Sequence, residues 1–372
     1  MLTLFIMLVC ILMVSVSYTQ SFYLFIGTYT NNGSKGIYVY RFDASTGKAE
    51  WVSNTDSLVN PSYLALAPNK KYVYAVTETA RNNAGSISAF SFDKVTGKLT
   101  FINKQSSGGD NPCYVAVHKS TQWVTVGNYS GGSLSVYPVN KNGSLEPFAQ
   151  NIQNSGSSIN KQRQEKAHVH ATVFSPDYKY LFVPDLGLDK VMIYNFDAKA
   201  QKPLTPAEPA FASSTAGNGP RHFEFHPNKK FAYLLEELTG TIAVYAYKKG
   251  ALNFIERVSS HPPNFKGNIG SADIHLSPDG KFLYASNRGD ANSIASYKVN
   301  ENGKLLALNF DSTLGKTPRN FMIDPTGNYL LVANQATNNI VIFKRDKLTG
   351  ALKATGDEIK VPTPVCLQMM KD

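Results

Sequence analysis

The chain has 372 residues, and 37 lysines and arginines against 27 aspartates and glutamates give a net charge of +10 at pH 7. This length favours two or three domains unless a repeat closes it into one unit, and the charge favours anionic ligands or anionic envelopes. No segment shows a long helical pattern, which excludes a fold with packed helices, whereas 20 tyrosines, 21 phenylalanines and regularly spaced turn residues predict many short strands.

The first twenty residues, MLTLFIMLVCILMVSVSYTQ, form an apolar run that ends in small and polar residues. Ser15-Val16-Ser17 resembles the small-x-small pattern of a cleavage site, so we predict a signal peptide at 1–20 and a mature domain at 21–372. The run lacks a preceding Lys or Arg and is long enough to remain as an uncleaved anchor. In both cases we expect an exported, periplasmic or secreted, protein.

A repeat follows along the rest of the chain. Six segments align without gaps around a turn: NPSYLALAPNKKYVYAVTE, NPCYVAVHKSTQWVTVGNY, HVHATVFSPDYKYLFVPDL, GPRHFEFHPNKKFAYLLEE, GSADIHLSPDGKFLYASNR and TPRNFMIDPTGNYLLVANQ. An aromatic residue recurs four positions after each turn, at Tyr72, Trp123, Tyr180, Phe231, Phe282 and Tyr329. An equivalent position that is aromatic in every repeat indicates a structural role in the repeated fold.

Each aligned segment contains two strands, and a second alternating pair follows it, as in SISAFSFD and KLTFINK. One repeat is therefore four antiparallel strands, A to D, and the interval of roughly 50 residues is typical of a propeller blade. FYLFIGTYT, GIYVYRFD and AEWVSN near the N-terminus match strands B, C and D, while PVCLQMM near the C-terminus matches strand A. The pattern predicts an all-β, seven-bladed β-propeller whose last blade is closed by both termini.

Only Cys113 and Cys366 remain after the predicted cleavage. They belong to repeats that are not neighbours in the ring. We expect two free, buried thiols and no disulfide.

The start of strand A and the end of strand B meet on one face of the ring because the two strands are antiparallel neighbours. One residue after the start of strand A, the repeats read Ser62, Cys113, His170, Arg221, Ala272, Arg319 and Val365. At the end of strand B they read Glu78, Tyr129, Leu186, Glu237, Arg288 and Gln335. Unlike polar residues at equivalent positions of a symmetric ring favour an asymmetric ligand over packing.

Several motifs resemble one family of propellers. They are IGTYT at 26–30, NYSGGSLSVYPV at 128–139, HVHATVFSPD and VPDLGLDKV between 168 and 191, GPRHFEFHPN with Glu237-Leu238, and PRNFMIDPTGNYLLVANQ at 318–335. Together they resemble the seven-bladed lactonase family, the propeller-type 6-phosphogluconolactonases, which are related to fungal carboxymuconate lactonizing enzymes. The resemblance spans essentially the whole mature chain and implies hydrolysis of a sugar lactone.

Lactone hydrolysis needs an activated water, a stabilised oxyanion and a proton for the departing ring oxygen. We assign Glu237 as general base or water-positioning group, His170 as acid/base partner, and Arg221 with Arg319 as oxyanion or anion clamps. The resemblance to the lactonizing enzymes implies the same four positions. Further substrate-binding residues are predicted at the same face: Asn128, Asp185, Arg288, Asn334 and Gln335.

Other interpretations of these residues stay open. Arg221 opposite Glu237 could be only a cross-strand ion pair. His168 and His170 could ligate a metal with Asp185, although no third and fourth protein ligand can be identified from the spacing, so we expect no metal and no cofactor.

Three functions are compatible with the sequence, in this order: a sugar-lactone hydrolase, a lactone-forming cycloisomerase acting on a carboxymuconate, and a non-catalytic propeller that binds a ligand. The expected partner is a small anionic sugar lactone or sugar acid. We expect a monomer that binds no nucleic acid and does not remain inserted in a membrane after signal cleavage.

Overall fold

The structure is a computed structural model that describes residues 20–80 and 85–372. Its strands form seven four-stranded antiparallel sheets, which confirms the predicted seven-bladed propeller. The described residues include one short 3-10 helix, Gln335–Thr337, and none of their helices is long and apolar enough to cross a membrane. Apart from its last residue, the predicted signal peptide lies outside the described residues.

The chain begins with three strands of blade 7, which are β1 (Ser21–Thr28), β2 (Tyr38–Asp43) and β3 (Lys48–Asn54). Blade 1 follows with β4 (Leu64–Leu66), β5 (Tyr72–Thr77), β6 (Ser86–Asp93) and β7 (Lys98–Ser106). Blade 2 has β8 (Pro112–Val117), β9 (Trp123–Asn128), β10 (Ser133–Pro138) and β11 (Gln150–Gln153). Blade 3 has β12 (Val173–Phe174), β13 (Tyr180–Asp185), β14 (Lys190–Phe196) and β15 (Leu204–Ser213).

Blade 4 has β16 (Pro220–Phe225), β17 (Phe231–Glu236), β18 (Thr241–Lys248) and β19 (Ala251–Ser259). Blade 5 has β20 (Ser271–Leu276), β21 (Phe282–Asn287), β22 (Ser293–Val299) and β23 (Leu305–Ser312). Blade 6 has β24 (Pro318–Ile323), β25 (Tyr329–Asn334), β26 (Asn339–Arg345) and β27 (Leu352–Lys360). The last strand, β28 (Pro364–Lys371), is the innermost strand of blade 7.

Blade 7 closes the ring by pairing the two ends of the chain, as predicted. Strand β28 runs antiparallel to β1, with a register from Phe22 opposite Lys371 to Gly27 opposite Cys366. The order within the blade is β28-β1-β2-β3. Closure by main-chain hydrogen bonds leaves no open edge at the junction between the first and last blades.

The repeated aromatic residue is the first residue of strand B and contacts the neighbouring blade. In blade 4 this residue is Phe231, whose ring lies against Gly303 in the C-to-D turn of blade 5. Gly303 has φ +82°, and a Cβ there would lie 2.5 Å from the ring, so the turn and the contact both require glycine. The same arrangement joins Tyr72 to Gly143, Tyr180 to Gly250, Phe282 to Gly350 and Tyr329 to Gly47.

The apolar core lies between the blades. Buried apolar side chains of the described residues form six clusters, each of which joins adjacent blades. Cys113 and Cys366 are both free and buried, as predicted. The ring is therefore held by contacts between blades and by the pairing of β28 with β1.

Deleting residues 363–372 removes β28 and leaves β1 with an unpaired edge. We expect a large fall in the melting temperature and concentration-dependent aggregation, measured by thermal unfolding and light scattering. Deletion of Asp372 alone serves as the control, because its carboxylate contacts exposed groups at Ser21 and Arg41. A truncated protein that melts with the intact protein would contradict closure by β28.

Candidate functional site

A cavity of about 290 Å³ opens at the face where strands A begin and strands B end. We call it the mouth cavity. All seven blades or their connecting loops contribute to it. Its lining residues are Tyr29, Glu78, Asn111, Cys113, Tyr129, Ser130, Arg163, His170, Arg221, Glu237, Arg288 and Arg319.

Irregular pairing at the start of strand A directs side chains into the channel. In blade 4, Pro220 pairs with Glu236 and His222 with Leu235, so Arg221 between them has no partner in the ladder. The same register shift occurs around Arg319 in blade 6 and Cys113 in blade 2. A bulge places an extra residue on one strand and re-aims its side chain, which explains why this column lines the cavity.

Glu237 is the centre of a cluster of arginines. Its carboxylate lies 2.6 Å from Arg221 Nη1, 2.7 Å from Arg163 Nη2 and 3.2 Å from Arg288 Nη2. The side chain is only 5% exposed. Burial acts to raise the pKa of Glu237, but the charges of Arg221, Arg288 and their neighbours outweigh it and hold this pKa well below its usual range. Glu237 therefore remains ionised at neutral pH.

His170 contacts the same cluster as a neutral ring. Burial, followed by the charge of Arg221, holds its pKa well below the usual range. Arg221 Nη1 donates a hydrogen bond to Nε2 of His170. Because arginine is always a donor, the neutral ring carries its hydrogen on Nδ1, which lies 3.8 Å from Cys113 Sγ. In this geometry Nε2 accepts from Arg221, so the ring can position Arg221, whereas the predicted acid/base role would need a ring nitrogen that reaches the substrate.

A second carboxylate, Glu78, lies on the cavity wall just after β5 of blade 1. The Tyr29 hydroxyl contacts both of its oxygens at 2.9 Å, and Arg319 Nη2 lies 3.8 Å from Oε2. The Arg319 guanidinium also covers the Tyr29 ring at 5.4 Å from its centroid. Glu78 thus has fewer close cationic contacts than Glu237.

Arg288 is the arginine least compensated by its surroundings. Burial lowers its pKa to about 10; the charge of Glu237 opposes this shift, while the charges of Arg221 and Arg319 add to it. Its Nε donates to the Gly270 carbonyl at 3.0 Å, which fixes the guanidinium at the cavity wall. Because neighbouring arginines repel the protonated guanidinium, an additional anion nearby would stabilise its charged form.

Arg163 was not among the predicted site residues. It lies in the long connection between β11 and β12, where no repeat predicts a position, and it contacts both Glu237 and the Tyr129 hydroxyl. The adjacent Gln164 is buried and donates to the Leu186 carbonyl at 2.8 Å, which anchors the loop. Tyr29, Glu78 and Tyr129 also line the cavity; the last two were already present in the column at the end of strand B.

Four predicted substrate-binding residues do not line the mouth cavity. Asn128 and Asn334 are buried at the ends of their B strands and donate to the carbonyls of Ser107 and Thr313. Asp185 is also buried and accepts from the backbone amides of His168, Gly187 and Leu188. These polar groups satisfy loop backbone in the wall, while Gln335 begins the 3-10 helix outside the cavity.

The alternative metal site is not formed. Asp185 is occupied as a backbone acceptor, and His168 stacks on Tyr129 with centroids 4.5 Å apart while its Nε2 faces Glu165 at 3.2 Å. Among residues 20–80 and 85–372, no group of three His, Cys, Asp or Glu side chains could hold a metal ion.

Two other cavities are larger but lack this chemistry. One of about 490 Å³ opens at the opposite end of the channel, where Asp273 is engaged by His222 and His275 at 2.6 and 3.0 Å. Another, of about 810 Å³, extends from Phe22 to Lys347 and has no carboxylate side chain in its lining. Of these three cavities, only the mouth cavity combines several arginines with carboxylates.

Comparisons with known proteins match nearly the whole chain. The family model described as "Lactonase, 7-bladed beta-propeller" matches residues 23–369. A protein of Formosa agariphila named 6-phosphogluconolactonase is 40% identical over 349 residues, covering 93% of this chain and 99% of that protein. Its namesake in Bacillus subtilis is 36% identical, covering 93% and 97%. The solved periplasmic gluconolactonase of Pseudomonas aeruginosa has a TM-score of 0.89 and 36% identity, covering 94% and 99%.

Replacing Glu237 by Gln leaves three guanidinium groups without their shared carboxylate. At neutral pH we expect the free energy of unfolding to fall by about 3–5 kcal/mol. Because the folded pKa of Glu237 is lowered, its stabilisation is complete above the unfolded value near 4.5 and is lost as pH falls through the folded pKa. The melting-temperature difference between wild type and variant should therefore shrink in acid.

Glu358→Gln is the control, because this carboxyl is 36% exposed and its substitution should change stability little. Thermal unfolding of all three proteins at pH 7 and at about pH 3.5 makes the comparison. A Glu237→Gln difference that is equally large at both pH values would contradict the ion-cluster account.

Proposed function

The chain belongs to the seven-bladed β-propeller lactonase family, and on that premise we propose that its mouth cavity hydrolyses a sugar lactone to the anionic sugar acid. The chain is an enzyme of the lactone-hydrolysing esterase type. The proposal concerns the substrate class, the reaction direction and the residues that perform the reaction.

The charge of the mouth cavity is the observation that carries the proposal. Its lining contains four arginines and two glutamates, an excess of two positive charges. Guanidinium groups match carboxylate and phosphate oxygens, and partial burial strengthens their attraction to an anion. The names of the relatives, 6-phosphogluconolactonase and gluconolactonase, support a sugar lactone as the ligand.

Arg221, Arg288 and Arg319 supply the electrostatic part of the proposed reaction. Attack of water on a lactone carbonyl creates negative charge on the carbonyl oxygen, and preorganised donors stabilise that charge. Arg221 is preorganised because Nε donates to the Ala272 carbonyl at 2.6 Å while Nη1 contacts Glu237 and His170. Arg288 and Arg319 are more exposed, at 16% and 17%, and would hold the oxyanion or an anionic substituent.

The proposed role of Glu237 is to hold the arginine side chains in place. Its low pKa makes it a weak proton acceptor, since the basicity of a carboxylate falls with the pKa of its acid. The carboxylate instead fixes Arg163, Arg221 and Arg288 at one side of the cavity. We therefore replace the predicted base role of Glu237 by a positioning role.

Export forms part of the proposal. It is supported by the apolar run at 1–20 and by the Pseudomonas aeruginosa neighbour, whose name calls it periplasmic. An exported enzyme would meet unphosphorylated sugar lactones more readily than a phosphorylated intermediate of the cytosol. Mass spectrometry of the N-terminus of the secreted or periplasmic protein checks the cleavage; recovery of the intact chain only in the cytosol would contradict export.

The arginine assignment predicts a kinetic loss in Arg288→Met. We expect kcat/KM to fall roughly 10²- to 10³-fold for both gluconolactone and 6-phosphogluconolactone, because one oxyanion donor is lost. Acid release followed in a weakly buffered solution gives the rate after subtraction of spontaneous hydrolysis. Arg41→Met, at a side chain 48% exposed on the rim of blade 7, is the control and should keep the wild-type rate.

Two outcomes would count against the proposal. Wild-type protein that opens neither lactone faster than buffer would refute lactone hydrolysis for these substrates. Full activity of Arg288→Met would remove Arg288 from the reaction.

A further inference from the structure

We propose that Glu78 is the general base of the lactone hydrolysis and takes a proton from the attacking water. The inference rests on the proposed function and deepens it by naming a further catalytic residue. Three groups in the mouth cavity are candidates for this role, namely Glu78, His170 and Glu237. Their contacts distinguish them.

The contacts of Glu237 oppose a base role. Its Oε2 accepts from Arg221 at 2.6 Å, and its Oε1 accepts from Arg163 at 2.7 Å and faces Arg288 at 3.2 Å. Both oxygens are therefore committed to cations, and protonation would break contacts on which three side chains depend. Glu237 could take a proton from water only if its contacts with the three arginines were lost.

The contacts of His170 oppose the same role. Its Nε2 is the acceptor of a hydrogen bond from Arg221, and its Nδ1 is oriented toward the buried Cys113 thiol. The ring is 5% exposed. A base must reach the proton that it abstracts, directly or through one water, and neither nitrogen of His170 is free to do so in this arrangement.

Glu78 retains acceptor capacity that faces the cavity. Within residues 20–80 and 85–372, its only close side-chain donor is the Tyr29 hydroxyl, which has one hydrogen for two oxygens at 2.9 Å each, while Arg319 at 3.8 Å is beyond hydrogen-bond distance. An ionised carboxylate has about four acceptor positions, so most of them remain available to water. The side chain is 15% exposed, enough for contact with solvent in the cavity.

The backbone of Glu78 is held in place. Its amide donates to the Asn60 carbonyl at 3.0 Å, and Asn60 Nδ2 donates to the Glu78 carbonyl at 3.1 Å. Asn60 Oδ1 in turn accepts from the Thr30 amide at 2.9 Å, which joins blade 1 to blade 7. A carboxylate on such a rigid support can orient water without a conformational step.

Glu78 lies across the ring from the arginine cluster. It follows β5 of blade 1, whereas Arg221 belongs to blade 4 and Arg288 follows β21 of blade 5. In a ring of seven, the position opposite blade 1 falls between blades 4 and 5. A lactone whose carbonyl oxygen faces Arg221 and Arg288 therefore presents its carbonyl carbon to a water held by Glu78.

The proposed step balances in protons and electrons. As the water oxygen bonds to the carbonyl carbon, Glu78 takes one proton and the carbonyl π pair moves onto the oxygen near the arginines. When the carbonyl forms again, the bond from carbon to the ring oxygen breaks, and Glu78 returns the proton to that oxygen. The product is the open hydroxy acid, which loses its carboxyl proton to solvent at neutral pH.

Glu78→Gln tests the assignment. We expect kcat for gluconolactone to fall roughly 10²- to 10⁴-fold with a much smaller change in KM, because the variant keeps the shape of the side chain and loses the base. The melting temperature should change little, since the nearest cation to this carboxylate among the described residues is Arg319, at 3.8 Å. Near-wild-type kcat in a folded Glu78→Gln protein would overturn the proposal.

Rescue by an external carboxylate separates a base from a structural group. In Glu78→Ala, added formate can occupy the vacated space and accept the proton, so we expect kcat to rise with formate concentration and to saturate. Glu237→Ala is the matched comparison. Glu237 positions arginines in this account, so formate bound in its place should restore KM or stability and not kcat alone. Saturable rescue of kcat only in Glu237→Ala would overturn the assignment to Glu78.

The two proposals fail differently. If wild-type protein opens neither gluconolactone nor 6-phosphogluconolactone, the proposed function fails and takes the base with it. If wild type hydrolyses a lactone and Glu78→Gln does so equally well, only the base assignment is wrong. Tyr29→Phe, which removes the hydroxyl that donates to the carboxylate, should change kcat while leaving the arginine cluster intact.

Discussion

The carboxylate of Glu237 holds together a cluster of charges that would otherwise repel. Arg163, Arg221 and Arg288 come from a loop and two blades, and each points a guanidinium group at the same two oxygens. Removing ions from water costs several kcal/mol each, and only close pairing recovers that cost. With two glutamates for four arginines, the cavity keeps a positive excess that a developing oxyanion or an anionic product can balance. The electrostatics of the site thus follow from one buried carboxylate and its neighbours.

The ring makes this asymmetry possible. The aromatic residue at the start of strand B and the glycine of the next C-to-D turn repeat around the ring and fix how blades pack. Bulges at the start of strand A recur as well, so equivalent residues enter the channel from several blades. A side chain at these positions can vary without disturbing the scaffold. Unlike residues at symmetric positions can therefore form one catalytic constellation.

The sequence predicts the architecture well because the repeat carries it. The six aligned segments and the complementary termini identify all seven blades, and the column containing Arg221 and Arg319 identifies one wall of the cavity. Three of the predicted substrate-binding residues, Asn128, Asp185 and Asn334, lie outside the mouth cavity for a common reason. These residues end strand B, one position before the column that faces the cavity, and their amides and carboxylate bind loop backbone.

The features that the sequence could not predict depend on which side chains touch in the folded protein, and the repeat pattern carries no information on those contacts. Arg163 lies in a connection with no counterpart in the other repeats, so no alignment of repeats could place it. Glu78 and Glu237 occupy equivalent positions of strand B and look alike in sequence. They differ because one faces three guanidinium groups within 3.2 Å while the other accepts chiefly from a phenol. The division of labour between two glutamates is thus set by their neighbours.

A crystal structure of the protein with a sugar-acid product, gluconate or 6-phosphogluconate, tests the central claim most directly. Our account predicts that the sugar acid lies in the mouth cavity, with an anionic group near Arg288 or Arg319 and its carboxyl carbon between the arginine cluster and Glu78. Binding in the cavity at the opposite end of the channel, or at the outer surface with the mouth cavity unchanged, would contradict it.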